Sequence, residues 1–212
     1  MTKINKQTRD LVLFMLLGDG CISKTGTFEL THCAKQKEYI EYKWKLLKNN
    51  GINVSECRLI NNNGYDGYRF WSTSYMFMKM FRRILYKPNK RIAQRKLLNR
   101  LTPLGLALWY MDDGGLSQKK RNGVIYANEL MLNTGLQKDD NQIIIDYFKE
   151  VWNIKFNQYK NKGVYRLACG TKEARKFIAI VKPYVEQVQC MKYKLDVKPV
   201  SHNFSIENVK VE

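Results

Sequence analysis

An internal repeat is the feature of this sequence that most restricts its fold. Residues 8–24 and 102–118 follow one pattern, in which a Thr stands eleven residues before an Asp-Gly pair. The acids of the two pairs are Asp19 and Asp113, and each pair is followed by a small residue, an aliphatic residue and a Ser. Because such a repeat marks copies of one structural unit, we predict that the chain folds as two similar halves.

Each copy begins with a predicted helix that is apolar on nearly every side, which indicates a buried helix. Thr8 and Thr102 are predicted N-caps, and Pro103 suits the first helical position. The glycine of each Asp-Gly pair is predicted to end its helix in the left-handed conformation. We expect the two helices to pack against each other at the centre of the molecule, which brings Asp19 and Asp113 together at one end.

The later elements of the two copies also correspond, so each half is predicted to have the order α-β-β-α-β-β-α within an α+β fold. In the first copy the hairpins cover residues 21–33 and 53–73, and the later helices cover 36–49 and 75–86. In the second copy the hairpins cover 116–134 and 155–169, and the helices cover 139–152 and 172–188. The predicted halves are residues 1–97 and 98–212, which form one globule.

The charge of the chain favours a nucleic-acid partner. Its 37 Lys and Arg outnumber its 19 Asp and Glu, which gives a formal net charge of +18. Phosphate neutralisation with counterion release is the usual reason for such an excess, while a ribosomal-type, a secreted cationic or a membrane-surface protein is the alternative. The five cysteines show no CxxC spacing, which argues against structural zinc and for reduced thiols in an intracellular protein. No apolar run is long enough for a membrane span.

Two carboxylates at the ends of two buried helices repel each other, and each also faces the negative end of a helix dipole. A single Asp-Gly pair is usually only a turn, but two matching pairs in a repeat indicate a shared site for hard divalent cations. We therefore predict Mg²⁺-dependent phosphodiester hydrolysis by Asp19 and Asp113. Asp112 falls opposite Gly18, and we expect both to contribute backbone carbonyl ligands, with the Asp112 side chain only a neighbour.

The two helices carry a family resemblance. Residues 12–20 (VLFMLLGDG) and 106–114 (LALWYMDDG) resemble the two motifs of a single-chain LAGLIDADG homing endonuclease, and the stretch from Leu101 to Gly115 is similar to the yeast mitochondrial intron-encoded branch. Phe14 and Leu108 depart from the small residue often found third in the motif. The resemblance implies a monomer with a saddle of antiparallel sheets on DNA, and about two or three shared Mg²⁺ ions that Mn²⁺ can replace.

The resemblance also implies a catalytic lysine late in each repeat. Lys90 matches the first position and Lys194 the second, with Lys192 as the fallback. A lysine there can polarise solvent or stabilise charge on the phosphate, although a solvated side chain is the alternative. In the hairpins, polar side chains suit the major groove, where any one of them reads a base or touches phosphate. These candidates are Lys24, Arg58, Asn61, Tyr68, Arg69, Lys119, Lys120, Arg121, Lys160, Lys162 and Arg166.

We therefore predict a site-specific endonuclease that makes a staggered double-strand break in a long, asymmetric DNA target and initiates intron or gene mobility. The alternatives are an intron RNA-splicing maturase on the same scaffold, for which the chain's own intron RNA is the partner, and a DNA-binding regulator with a vestigial nuclease fold. We expect no membrane partner. The abundance of Lys, Asn, Ile and Tyr suggests an A·T-rich genome in an organelle, a bacterium or a phage.

Overall fold

Two antiparallel four-stranded sheets with the same strand order form the framework of the molecule. The computed structural model describes residues 4–86, 92–161 and 163–200. The first sheet has the order β1-β2-β4-β3 and the second β5-β6-β8-β7, so each strand of one sheet has a counterpart in the other. The predicted repeat and the α+β class are both confirmed.

The first repeat contains α1 (Lys6–Leu17), β1 (Cys21–Ile22), β2 (Thr27–Cys33), α2 (Lys37–Asn49), β3 (Arg58–Asn62), β4 (Tyr65–Ser74) and α3 (Met76–Leu85). A short helix that the sequence did not predict, α4 (Arg95–Leu98), leads to the second repeat. The second repeat contains α5 (Pro103–Asp113), β5 (Gly114–Arg121), β6 (Val124–Leu132), α6 (Lys138–Trp152), β7 (Asn157–Asn161), β8 (Val164–Cys169) and α7 (Thr171–Val185). The helix α7 ends at Val185, three residues before the predicted end at residue 188, and a 3-10 helix that the sequence did not predict, Gln189–Leu195, follows it.

The hairpin turns lie where their Asn-Gly pairs predict them. Asn63 and Gly64 have φ of 52° and 86°, and Asn122 and Gly123 have φ of 48° and 77°. Two consecutive residues with positive φ form the type of two-residue turn whose twist matches that of the flanking strands. These turns fix the register of β3 with β4 and of the first pairs of β5 with β6, where an irregularity between Lys119 and Lys120 then shifts the pairing by one residue.

The helices α1 and α5 pack against each other in the core, as expected. Residues 11–16 of α1 and 106–111 of α5 are all buried. The large Phe14 is accommodated by Gly105, because a Cβ at that glycine would lie 2.8 Å from the Phe14 ring. Burial of each large apolar side chain stabilises the fold by about 1.5–3 kcal/mol, so the helix pair is a main source of stability.

The N-cap prediction is right for α5 and wrong for α1. Thr102 accepts a hydrogen bond from the amide of Gly105, with Pro103 at the start of the helix. In α1 the cap is Asn5, whose Oδ1 accepts from the amide of Thr8 at 2.8 Å. Thr8 itself is buried and donates its hydroxyl to the carbonyl of Asn50. The helix therefore begins earlier than its apolar stretch suggests.

The prediction that Gly20 and Gly114 take a left-handed conformation is also wrong, since neither has a positive φ. Both are needed for close packing. A Cβ at Gly20 would lie 2.6 Å from the carbonyl oxygen of Met15, and one at Gly114 would lie 2.0 Å from the Tyr110 ring. The residue after α1 is Gly18, in a conformation with φ of −96°.

Polar contacts also connect the two repeats. The buried Asp10 of α1 forms an ion pair with Arg100, just before α5. Glu38 of α2 accepts hydrogen bonds from the amides of Gln189 and Cys190 at 2.7 and 2.9 Å. All five cysteines are free thiols. Among the described helices, none is both long and apolar enough to cross a membrane.

Candidate active site

The C-terminal ends of α1 and α5 meet at the Asp112 side chain. Asp112 Oδ2 accepts a hydrogen bond of 3.1 Å from the backbone amide of Asp19. A side chain of the second motif helix therefore binds the backbone of the first motif at its acidic residue. The contact is possible only because residue 18 is glycine. A Cβ at Gly18 would lie 2.0 Å from Asp112 Oδ2. Asp112 is therefore more than the neighbour that the sequence predicted.

A buried lysine, which the sequence analysis missed, is the counter-charge of Asp112. Lys43 of α2 is fully buried, and its Nζ lies 2.5 Å from Asp112 Oδ1 and 3.2 Å from His32 Nε2. The ammonium also lies 4.3 Å from the centre of the Tyr39 ring. One signal was present in the sequence: Lys43 stands on the apolar face of α2, together with Ile40 and Leu47. A charged residue on such a face is buried and must be paired.

His32 completes this cluster on the inward face of β2. Its Nδ1 lies 3.0 Å from Gln36 Oε1 and 3.6 Å from Asp19 Oδ2. Burial and the nearby Lys43 ammonium lower the pKa of His32 to about 4. At neutral pH the ring is therefore uncharged, which suits Nε2 as the acceptor from Lys43 and Nδ1 as the donor to Gln36.

Asp113 has different surroundings from Asp112, although the two are adjacent in the chain. Its Oδ2 accepts a hydrogen bond of 3.2 Å from the indole nitrogen of Trp109, and its residue is only half-buried. Successive residues of a helix are rotated by about 100°, so the two carboxylates leave α5 in different directions. The Asp112 side chain has no exposure to solvent, whereas the Asp113 carboxylate lies against the Trp109 indole.

Lys194 closes the C-terminal end of α5. Its buried Nζ donates to the carbonyls of Met111 (2.5 Å), Gly114 (2.8 Å), Tyr110 (3.2 Å) and Asp112 (3.4 Å). Burial lowers the pKa of Lys194, while the charge of Asp112 opposes this shift. The positive charge thus satisfies carbonyls that a helix end leaves without partners and offsets the negative end of the helix dipole.

The acids and His32 resemble a metal-binding cluster, because ligand atoms of Asp19, His32 and Asp112 lie within 4.8 Å of one another. The donor set argues against Asp112 as a side-chain ligand. Both of its oxygens already accept hydrogen bonds, one from a lysine ammonium that would repel a cation. The side chain of Asp19 is 44% exposed, and hard cations prefer such carboxylate oxygens. Asp19 fits a metal ligand better than Asp112 does.

Of the predicted DNA-binding residues, four lie on the outward faces of the sheets, away from the core. Arg58 and Arg69 are paired across β3 and β4, and Arg69 Nε donates to Thr31 at 3.0 Å. On the second sheet Arg166 and Lys119 share the outward side, where Lys119 forms a 2.9 Å ion pair with Glu129. A two-stranded ribbon with such side chains fits the major groove.

The strand register places three other candidates on the opposite sides of the sheets. Tyr68 pairs with the inward His32, Asn61 pairs with Asp66, and Lys160 pairs with Tyr165. Asn61 also accepts from the amide of Gly64, which assigns it a role in the turn. The sequence could not separate these from Arg58 and Arg69, because a shift of one residue exchanges the faces of a strand. The exposed Lys24, Lys120 and Arg121 lie at hairpin ends, and Lys90 and Lys162 lie outside the described residues.

Two motif helices that end near acidic residues, together with two antiparallel sheets of the same strand order, indicate a protein built from two repeats of one unit. Comparison with known proteins gives its family. The model of the LAGLIDADG DNA endonuclease family matches residues 9–177. The chain belongs to this family, that of the homing endonucleases.

The chain is also similar to single proteins and to a solved structure. The probable intron-encoded endonuclease 1 of Wickerhamomyces canadensis is 29% identical over 209 residues, which cover 92% of this chain and 86% of that protein. The structure of the homing endonuclease I-WcaI bound to its DNA recognition sequence has a TM-score of 0.77 at 24% identity, over 94% of this chain and 90% of that one. Protein RecA of Mycobacterium gastri is 26% identical over 91% of this chain, which spans only 48% of that protein. The predicted resemblance is confirmed.

Proposed function

We propose that the protein is a site-specific endonuclease that makes a metal-dependent, staggered double-strand break in a long, asymmetric DNA target. The observation that carries this proposal is the junction of the two motif helices, where the Asp112 carboxylate accepts from the amide of Asp19. Asp113 follows Asp112 directly, so both motif acids belong to the same end of the helix pair. Family membership and a net charge of +18 support DNA as the partner.

The two motif acids are the proposed metal ligands. Asp19 and Asp113 would hold the Mg²⁺ ions, with the carbonyl of Gly18 as a further ligand. Bound Mg²⁺ supplies an activated water and stabilises the leaving oxygen, and Mn²⁺ is expected to substitute. The carbonyl of Asp112 is the weaker candidate, because the Lys194 ammonium lies 3.4 Å from it. The number of ions stays a prediction.

The protein's own groups prepare the site before DNA arrives. Lys194 neutralises the carbonyl end of α5, which makes a charged Asp113 easier to maintain there. Its ammonium also adds positive charge beside the position of the phosphate, which is the catalytic part of the proposal for Lys194. Lys90 keeps the same proposed role in the first repeat. Arg58, Arg69, Lys119 and Arg166 would approach the duplex from the outward faces of the sheets.

Cleavage of the target with Mg²⁺ or with EDTA tests the proposal. The target is obtained by selection from a randomised duplex library, or from the intron-free insertion site of the gene. We expect Mg²⁺-dependent double-strand cleavage that falls at least about 100-fold in both Asp19→Asn and Asp113→Asn, because each removes charge from the metal site. Asp146→Asn, which changes an exposed acid on α6, serves as the matched control.

Binding without metal distinguishes loss of chemistry from loss of DNA recognition. With EDTA, both site variants should bind the duplex as tightly as the unchanged protein. Cleavage that survives both substitutions would refute the active site. Tight binding of intron RNA, with no DNA cleavage by the unchanged protein, would favour the maturase alternative. Intron or gene mobility, a monomeric state and an organellar, bacterial or phage origin stay predictions that accompany this function.

A further inference from the structure

The ion pair between Lys43 and Asp112 breaks the symmetry of the two repeats. Helices α2 and α6 each bury residues at the same spacing, which are Ile40, Lys43 and Leu47 in one and Asn141, Ile144 and Phe148 in the other. Ile144 therefore occupies in the second repeat the place of Lys43 in the first. Likewise Gly18 occupies in the first motif the place of Asp112 in the second.

All parts of this arrangement depend on one another. Asp112 reaches the amide of Asp19 only because Gly18 leaves the space. Its side chain has no exposure to solvent, so its charge requires a counter-charge nearby. Lys43 supplies that charge and is itself oriented by His32 Nε2 and the Tyr39 ring. The result is a continuous connection from the interior of α2 to the backbone of one motif acid.

We propose that Lys43 is a positioning residue: it fixes the Asp112 carboxylate, which in turn holds the Asp19 end of the first motif for cleavage. The pseudo-symmetric position cannot do the same for Asp113, because it holds an isoleucine opposite a glycine. The end of α5 is instead closed by Lys194. The two acids are thus held by different means, and loss of the Lys43–Asp112 pair should affect the two strand cuts unequally. The role in cleavage rests on the proposed endonuclease function, whereas the positioning of the Asp19 backbone does not.

The first variant removes the acceptor while the lysine remains. In Asp112→Asn, the side-chain amide oxygen accepts the hydrogen bond from Lys43. The side-chain NH₂ group then faces the backbone N–H of Asp19, so two donors oppose each other. We expect the backbone amide of Asp19 to exchange with deuterium at least about 10-fold faster, measured in EDTA. We also expect one strand of the target to be cut at least about 10-fold more slowly than the other, so that nicked DNA accumulates.

The second variant should reverse these effects. In Asp112→Asn combined with Lys43→Met, no ammonium claims the amide oxygen, which can turn to the Asp19 amide while its NH₂ group faces His32 Nε2. Slow exchange at Asp19 and balanced strand cutting should both return, although the protein carries one more substitution. Lys43→Met alone leaves Asp112 buried without a counter-charge, so the single variant is the one most exposed to misfolding. Ile144→Met is the matched control in the second repeat and should change neither measurement.

The exchange experiment decides the proposal without any cleavage. Unchanged exchange at Asp19 in Asp112→Asn, or no recovery in the double variant, would overturn it. Equal slowing of both strands, in proportion to lost folded protein, would reduce Lys43 to a purely structural residue and overturn the positioning role. If the unchanged protein cuts no DNA, the proposed function fails, and the exchange result alone decides whether Lys43 positions Asp19.

Discussion

At the scale of single residues, Gly18 matters because the Asp112 carboxylate packs directly against its Cα. Gly18→Ala would place a Cβ 2.0 Å from Asp112 Oδ2, and that carboxylate is held by Lys43. Because the acid cannot move without breaking its ion pair, we expect the free energy of unfolding to fall by about 1–3 kcal/mol, as for other overpacked sites. Urea unfolding measures the change. Gly115→Ala is the control, since a Cβ there meets nothing within 4 Å; equal losses in the two variants would contradict the argument.

Lys194 is a second residue whose position predicts a measurable contribution to the free energy of unfolding. Its Nζ donates to several carbonyls at the end of α5, and Lys194→Met would remove this buried donor and its charge. Charge-assisted hydrogen bonds contribute more than neutral ones, so we expect a loss of about 2–3 kcal/mol in chemical unfolding. The exposed Lys192 gives the matched control, Lys192→Met, which should be neutral. A neutral Lys194→Met would show that water replaces the lysine at this helix end.

At the scale of secondary-structure elements, the sequence predicted what local patterns determine. The Asn-Gly turns, the apolar helices and the paired hairpins all follow from short-range preferences, and they are present with small shifts at their ends. Thr8 is not the cap of α1, because its hydroxyl donates to the distant carbonyl of Asn50, and Asn5 caps the helix instead. Gly20 is needed for close packing against Met15 and Phe28 and not for a left-handed conformation, which the sequence pattern alone did not reveal. The 3-10 helix after α7 also went unpredicted, because a contact with Glu38 of the other repeat stabilises it.

The contact of Glu38 with that 3-10 helix predicts a pH dependence. The amides of Cys190 and Gln189 lower the pKa of the Glu38 carboxyl, so the unfolded chain binds its proton more readily than the folded one. Its contribution is therefore present at neutral pH and is lost as the pH falls through the lowered pKa. Glu38→Gln should lower the thermal midpoint at pH 7 and have progressively less effect as the pH falls, with little effect once the pH is below the lowered pKa and the carboxyl is protonated in both states.

The exposed position of Glu38 limits the size of this effect. As with other capping side chains at a helix start, about 1 kcal/mol or less is expected at pH 7. Glu41→Gln provides the comparison, because Glu41 lies on the same helix and forms a long ion pair of 3.8 Å with Lys37. A difference between the unchanged protein and Glu38→Gln that persists at low pH would exclude the ionised carboxylate as its cause.

At the scale of the whole molecule, the repeat determines the architecture, and departures from it determine the site. The matching motifs predicted two sheets, a central helix pair and two acids at one end. They could not predict Lys43, because its partner Asp112 belongs to the other repeat and lies 69 positions away. Strict symmetry would also have assigned equal roles to residues 18 and 112. In the folded chain Gly18 leaves the space that a side chain would fill, and the Asp112 carboxylate occupies that space.

The same loss of symmetry extends to the outward faces of the sheets. The first sheet presents Arg58 and Arg69 beside Trp71, with Arg58 5.4 Å from the Trp71 ring. On the second sheet Lys119 forms an ion pair with the Glu129 carboxylate, and Arg166 lies opposite Tyr159 on the neighbouring strand. Arginine reads guanine through two parallel hydrogen bonds, whereas a lysine held by a carboxylate has fewer donors to offer. If a duplex lies along these faces, as proposed, its two halves would therefore meet different chemistry.

We expect the preferred target to be asymmetric, and selection of cleaved duplexes from a randomised library measures this. Arg69→Ala should relax sequence preference in one half of the target, and Arg166→Ala should relax it in the other, each by about 1–3 kcal/mol if the side chain contacts a base. If either arginine contacts only phosphate, its removal should weaken binding to all sequences alike and reduce the dependence of binding on salt. Because the two faces differ, palindromes built from either half should be cut more slowly than the natural combination. A palindrome that emerges as the best substrate would contradict this, since it would require two sheets of different composition to read the same bases.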